Sequence, residues 1–93
     1  MATETLTGRQ KEVLMYFRES MNHNRLDGVR ASEAADNIDA PLQEVLDACE
    51  ALDQMDLLDI DKRHMENGKV KDLEAHISNL GIQTLQMDKG IPL

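Results

Sequence analysis

The sequence predicts a small α+β domain in which three helices precede a β-hairpin and a short helix follows it. Apolar residues recur at helical spacing in the first half of the chain and again near its end. Between these segments, Asn67-Gly68 separates two runs in which apolar and charged residues alternate, which is typical of a hairpin. The 93 residues can bury one modest core, so we expect a single domain from 7 to 87 with flexible ends at 1–6 and 88–93.

The first helix is predicted from Gly8 to Met21. Thr7 is a suitable N-cap, and Gln10 three residues later completes a capping-box pattern, in which each side chain bonds the backbone N–H of the other residue. Four apolar residues of this segment fall on one helical face, namely Val13, Leu14, Phe17 and Met21.

A loop, a short strand and a second helix are predicted next. The polar segment from Asn22 to Gly28 is predicted as a loop, and Val29-Arg30 as a short extended bridge. The second helix is predicted over Ser32 to Ile38, with three inward positions, namely Ala34, Ala35 and Ile38.

The third helix is predicted to have Pro41 in its first turn, where the missing N–H of proline costs nothing. Its apolar face is expected to meet the core with Leu42, Val45, Leu46, Cys49 and Leu52. Its opposite face carries Gln43, Glu44, Asp47, Glu50 and Gln54. Cys49 is predicted to be a small buried hydrophobe, because no cation lies near it in sequence to lower the pKa of its thiol.

Asn67 and Gly68 favour a type I′ turn, because both positions of that turn require positive φ. Folding the chain about this turn gives one largely apolar face with the pairs Leu58–Ile77, Ile60–Ala75 and Lys62–Leu73. The other face then carries the pairs Asp59–His76, Asp61–Glu74 and Arg63–Asp72. After the hairpin, Ser78 can cap a short helix with Leu80, Ile82 and Leu85.

This order of elements, with these residues, resembles the winged helix-turn-helix superfamily. The stretch VRASEAADNIDAPLQEVLDACEALDQMDLL, from Val29 to Leu58, resembles the core of the superfamily. The stretch HISNLGIQTL, from His76 to Leu85, resembles the segment that follows its hairpin, the wing. The similarity covers residues 7 to 87. It implies a fold in which the third helix enters the major groove of DNA, as in transcriptional regulators.

The sequence departs from the superfamily's usual pattern in ways that bear on DNA binding. Asp39 stands where the turn between the second and third helices usually has glycine, and Asp56 where glycine usually leads into the wing. The third helix offers Gln43, Glu44, Asp47 and Glu50 where cationic or hydroxyl side chains are usual. Residues 31–61 contain ten acidic residues and no lysine or arginine, and the chain has a net charge of −8. Because cations on phosphate supply most of the affinity for DNA, we expect this helix to be unsuited to reading DNA.

The predicted wing is where cations cluster, with Lys62, Arg63, Lys69 and Lys71. They suit a small anion contact, such as a DNA phosphate backbone. They also suit a purely protective role, in which lysines keep an exposed hairpin from pairing with other sheets. The protective interpretation is preferred, because four cations neutralise few phosphates.

No catalytic, cofactor or metal site is predicted. The three histidines, His23, His64 and His76, lack the spacing of metal ligands. The chain has no Gly-rich phosphate loop, and no nucleophile stands beside an evident base. We therefore expect a protein that is not an enzyme and needs no cofactor.

The main functional hypothesis is a non-catalytic winged-helix interaction module, whose acidic third helix binds a protein partner. A basic partner would complement the charge of this helix. The alternative is a DNA-binding transcriptional regulator that contacts DNA through the wing and through Arg9 and Lys11 of the first helix. The acidity also fits an organism with a salty cytoplasm. No signal segment or membrane span is recognisable, so we expect a cytoplasmic protein with no membrane partner, present as a monomer or weak homodimer.

Overall fold

A computed structural model describes residues 6–21 and 28–88. Most of the predicted loop, His23 included, and nearly all of the two predicted flexible ends lie outside the described residues, as does the side chain of Met21. Among the described helices, none combines the length and the apolar character that crossing a membrane requires.

The elements follow the predicted order. They are α1 (Gly8–Met21), β1 (Val29–Arg30), α2 (Ala31–Ile38), α3 (Leu42–Gln54), β2 (Leu58–Glu66), β3 (Lys69–Ile77) and α4 (Asn79–Asp88). The three strands form one antiparallel sheet in the order β1-β3-β2, and the β2–β3 hairpin is the wing. The predicted fold class is confirmed: the domain is α+β with a winged helix-turn-helix arrangement.

Two predicted boundaries were wrong by one residue. The second helix begins at Ala31 rather than Ser32. Pro41 is the N-cap of α3, with an extended backbone, rather than a residue of its first turn. Both shifts are of the size by which helix ends ordinarily vary.

The core lies between the helices and the apolar face of the sheet. Its largest fully buried side chains come from α1, α3, β2 and β3, and include Phe17, Leu14, Leu52, Leu58 and Leu73. One predicted core residue was wrong, because 37% of Leu42 is exposed. Leu42 opens α3, and the buried positions of that helix begin only with Val45.

Local hydrogen bonds fix the beginnings of the first and last helices. The Thr7 N–H donates to Gln10 Oε1 and the Gln10 N–H donates to Thr7 Oγ1, both at 3.1 Å, which confirms the capping box. Ser78 Oγ accepts from the Gly81 N–H at 3.0 Å and donates to the Asp56 carbonyl at 2.7 Å. A Cβ at Gly81 would overlap the Leu57 carbonyl oxygen, so α4 lies directly against the connection between α3 and β2.

Within residues 6–21 and 28–88, four residues adopt positive φ, all of them at turns. Asn67 and Gly68 have φ of 52° and 77°, which confirms the type I′ turn at the wing tip. Asp39 and Asp56 have φ of 56° and 63°. These two aspartates hold the left-handed conformation at the positions where the superfamily usually places glycine, which aspartate tolerates better than most residues.

The predicted hairpin register is confirmed at the base of the wing and wrong in its middle. Leu58 pairs with Ile77, Asp59 with His76 and Ile60 with Ala75, as predicted. Beyond this point the observed pairs are Lys62–Glu74, Arg63–Leu73 and His64–Asp72, not Lys62–Leu73, Asp61–Glu74 and Arg63–Asp72.

Two bulges explain this shift. Asp61 has no partner of its own on β3, so the pairing slips by one residue after Ile60. Lys71 is the corresponding extra residue on β3, and it restores the register before Met65 pairs with Val70. As a result, Arg63 lies on the opposite side of the wing from the one predicted. Arg63 shares a face with the buried Leu73, toward α3.

Candidate interface on the third helix and the wing

The exposed face of α3 carries all four residues predicted to form a binding face. Gln43, Glu44 and Asp47 are exposed, and Glu50 is partly covered. Gln43 Nε2 donates to Asp47 Oδ1 at 3.0 Å, one helical turn away. The remaining two carboxylates have arginine partners on other elements.

Glu44 is paired with the beginning of α1. Arg9 Nε donates to Glu44 Oε1 at 3.0 Å, and Arg9 Nη1 donates to Glu12 Oε1 at the same distance. Arg9 therefore lies between two carboxylates. Arg9, which the sequence suggested for a DNA contact at this end of the molecule, is therefore already engaged.

Glu50 is paired with the wing through two parallel hydrogen bonds. Arg63 Nε donates to Glu50 Oε2 and Arg63 Nη2 to Glu50 Oε1, both at 2.8 Å. The hydrogen bonds from Arg63 lower the pKa of Glu50, although burial opposes them, and the hydrogen bond from Glu50 raises the pKa of Arg63. Asp53 lies 4.0 Å from the same guanidinium and accepts the Ile60 N–H at 3.3 Å. We call the Glu50–Arg63 contact the wing clamp.

The other three wing cations differ in how they are engaged. All are exposed, and Lys71 Nζ lies 3.5 Å from Glu66 Oε1. Within the described part of the chain, Lys62 and Lys69 make no hydrogen bond or salt bridge, although the charge of Lys62 helps to lower the pKa of Glu74, its partner across the hairpin. The structure therefore does not bring the four predicted anion-contact residues together as one group.

A shallow cleft of about 410 Å³ separates the first turns of α3 from the wing. Leu46 and Val70 form its apolar part, and polar side chains surround them, namely Gln43, Asp47, Glu50 and Lys69. Met65 pairs with Val70 across the hairpin and is 57% exposed. The cleft thus offers apolar surface and few unpaired charges.

The opposite face of the wing holds the histidines of the hairpin. His64 Nε2 lies 2.8 Å from Glu74 Oε2, and this hydrogen bond lowers the pKa of Glu74. His76 lies between two carboxylates, 2.8 Å from Asp61 and 3.8 Å from Asp59. Within residues 6–21 and 28–88, no group of three or more metal-ligating side chains is close enough to hold an ion.

Asp72 joins the wing to the beginning of α2, a role that the sequence analysis missed. The N-cap residue of α2, Arg30, makes no side-chain cap. Asp72 supplies the cap instead, accepting from the Ser32 N–H at 3.0 Å and from the Ser32 hydroxyl at 2.6 Å. Burial alone would raise the pKa of Asp72, but these bonds, a third from the Leu73 N–H and the Arg30 charge lower it.

Cys49 is fully buried in α3, as predicted. Burial is the first cause that raises the pKa of its thiol to about 12, and the charges of Glu50 and Asp72 add to it. A thiol with so high a pKa is a poor nucleophile at neutral pH.

Comparisons with known proteins support the fold. No family model matches the chain, and no curated protein matches it. Among solved structures, a putative DNA-binding protein from Ralstonia eutropha has a TM-score of 0.69 and 17% identity over 95% of this chain and 100% of its own. The PcaV transcriptional regulator from Streptomyces coelicolor, in complex with its natural ligand, has a TM-score of 0.68 and 14% identity over 92% of this chain and 55% of its own.

A mutant of S. aureus MepR bound to an oligodeoxyribonucleotide is also similar, with a TM-score of 0.64 and 16% identity over 92% of this chain and 57% of its own. The chain therefore spans little more than half the length of PcaV and MepR, and the whole of the R. eutropha protein. At these identities the likeness shows the fold alone, a winged helix-turn-helix fold.

Proposed function

We propose that this chain is a DNA-contacting winged-helix domain of a transcriptional regulator, and that it reaches DNA with its wing rather than with α3. The observation that carries the proposal is the match of the whole domain to a protein of similar size, the putative DNA-binding protein from R. eutropha. A similar fold bound to an oligodeoxyribonucleotide supports it. This favours the second of the two hypotheses from the sequence over the first.

The charges of the described residues limit how such a domain can bind DNA. Lys62 and Lys69 are exposed wing cations for which no salt bridge is found among the described residues, although Lys62 lies opposite Glu74 in the hairpin. Asp47 lines two depressions, one on each side of α3. The first is the cleft that Lys69 also lines, and the second is a depression that Arg9 also lines. A duplex spanning both sides would meet Asp47 between them. This arrangement suits an exposed phosphate contact at the wing and disfavours insertion of α3 into a groove.

The test is binding of the full chain to a labelled random duplex, followed by fluorescence anisotropy at several salt concentrations. We expect weak binding, with a Kd of ~10⁻⁴ M or poorer near physiological salt, and a slope of log K against log salt of about −2 for two lysines. Lys62→Glu with Lys69→Glu should abolish it, whereas Gln43→Ala should leave it unchanged. Binding that survives the lysine changes and disappears with Gln43→Ala would place α3 in the groove and contradict the proposal.

A second candidate is binding of a basic protein partner at the α3–wing cleft. The observation in its favour is the apolar surface there, which Leu46 and Val70 form beside the acidic Asp47. A pull-down with the full chain from native extract, with and without nuclease, separates the two functions. A partner retained after nuclease treatment and lost with Asp47→Lys supports this candidate. A partner lost with nuclease supports DNA.

The assembly state belongs with either function. We propose that the chain is mostly monomeric at micromolar concentration, with at most a weak homodimer. Sedimentation velocity over a dilution series measures this directly, and a dimer that persists at the lowest concentration would contradict it.

A further inference from the structure

We propose that Glu50 determines which charged partners the wing accepts, because it acts as an internal counterion that withholds Arg63 from phosphate. The inference rests on the proposed function and concerns the same surface. Arg63 is the wing cation best suited to phosphate, since its guanidinium can donate two parallel hydrogen bonds to an oxyanion. In this structure Glu50 takes both, through Nε and Nη2 at 2.8 Å.

The bulge at Asp61 is what brings this pair together. Without it, Arg63 would face Asp72 across the hairpin, on the side of the wing that points away from α3. With it, Arg63 pairs with Leu73 in register and reaches Glu50 on α3. The bulge in β2 therefore places Arg63 beside a carboxylate of α3, the helix that winged helix-turn-helix proteins insert in the major groove.

The wing clamp is exposed enough to exchange partners. The Arg63 side chain is 41% exposed and that of Glu50 35%. An ion pair so open to solvent contributes little to stability, so its loss costs the fold little. A phosphate can reach Arg63, but it must displace a carboxylate that already satisfies the same donors. Because Glu50 loses its cation when the phosphate gains one, the exchange causes no net release of counterions. Arg63 therefore adds nothing to the affinity for DNA.

Glu50→Gln tests this, with Asp47→Asn as its matched control. Each variant removes one negative charge from the same face of α3, but only Glu50 is bonded to Arg63, since Asp47 accepts from Gln43. Glu50→Gln should steepen the salt slope for duplex binding by about one and tighten binding about tenfold near ~50 mM salt. Asp47→Asn should leave the slope unchanged. Glu50→Ala serves as a second variant that removes the acceptor altogether.

Substitution of Arg63 completes the experiment. Arg63→Gln should leave duplex binding by the parent chain unchanged, and should reverse the gain when it is combined with Glu50→Gln. Equal slopes for Glu50→Gln, Glu50→Ala and Asp47→Asn would overturn the inference, while the proposed function would stand if binding still required Lys62 and Lys69. If no variant binds duplex, Arg63 gains no phosphate contact even when Glu50 no longer holds it, and both proposals are wrong. Circular dichroism of each variant verifies that it is folded.

Discussion

Two of the carboxylates that hold the wing to the helices, Asp72 and Glu50, lie in different surroundings. Asp72 exposes 15% of its side chain and accepts hydrogen bonds from two backbone N–H groups and one hydroxyl. Glu50 exposes 35% of its side chain, and its hydrogen bonds come from the exposed Arg63. Asp72 connects the wing to the beginning of α2, and Glu50 connects it to the side of α3.

The difference separates a structural contact from an exchangeable one. Losing Asp72 would leave largely covered N–H groups without an acceptor, which costs more than the bond itself contributes. Losing Glu50 would leave a guanidinium that water can hydrate. Both contacts lie in the middle of the wing. Asp72 fixes the wing to α2, while the Glu50 contact with α3 is open to competition from another anion.

The largest effect is expected from Asp72→Ala. It should lower the free energy of unfolding by about 2 kcal/mol or more, because the Ser32 N–H loses its acceptor and α2 loses its cap. Glu50→Ala should cost less than about 1 kcal/mol. Urea denaturation of both variants measures the difference. Equal losses would mean that the two contacts do not differ in kind.

Acid should weaken both contacts together. The pKa values of Glu50, Asp72 and Glu74 are lowered in the folded state from ordinary values of 4.5, 3.8 and 4.5. Folding thus favours the ionised forms, so their contribution is complete above these ordinary values and is lost as the pH falls through the lowered ones. The thermal midpoint should therefore fall steeply below about pH 4.5. Asp72→Asn should reduce the dependence of the thermal midpoint on pH more than Asp47→Asn does. Identical pH profiles for the two variants would contradict the role given to Asp72.

Gly68→Val tests the wing tip, which lies beyond both contacts. The new side chain meets open space, so its cost comes from a β-branched residue at φ of 77°. We expect a loss of about 1–2 kcal/mol in the free energy of unfolding. Lys69→Val, one residue further along in β3, is the control, because a strand accepts valine. An unchanged melting temperature for Gly68→Val would be inconsistent with the type I′ turn.

The smallest effects distinguish the two acids of α3. Asp47 has like-charged neighbours, Glu44 and Glu50, three residues away on either side, so Asp47→Lys should raise stability by about 0.5 kcal/mol. Glu50→Lys should lower it, because a second cation would then face Arg63. Added salt should stabilise the parent chain more than Asp47→Lys, since exposed charges are screened. Differential scanning calorimetry at two salt concentrations provides the measurement, and stabilisation by both reversals would disprove the wing clamp.

The sequence predicted the features that depend on neighbouring residues. The bounds of α1 follow from apolar spacing and from the Thr7–Gln10 capping box, and the tip of the wing follows from Asn67-Gly68. The exposed face of α3 follows from helical geometry. Each of these is decided within a few residues, where spacing and backbone preference act directly.

The register of the wing and the contacts between residues distant in sequence could not be predicted in the same way. The bulges at Asp61 and Lys71 cancel, so the pairs at the base and the tip of the wing agree with an unbroken register. The side of the wing that carries Arg63 was therefore predicted wrongly. The pairs of Glu50 with Arg63, Glu44 with Arg9 and Asp72 with Ser32 join residues 13, 35 and 40 positions apart. Only the packed structure brings such residues together.

The buried thiol of Cys49 makes opening of the domain measurable by a chemical reaction. It is the only thiol of the chain, and the same two carboxylates that hold the wing, Glu50 and Asp72, add to burial in raising its pKa to about 12. An alkylating reagent can consume it only when α3 leaves the core and the thiol reaches solvent. The rate of its modification therefore measures how often a folded molecule opens in the absence of denaturant.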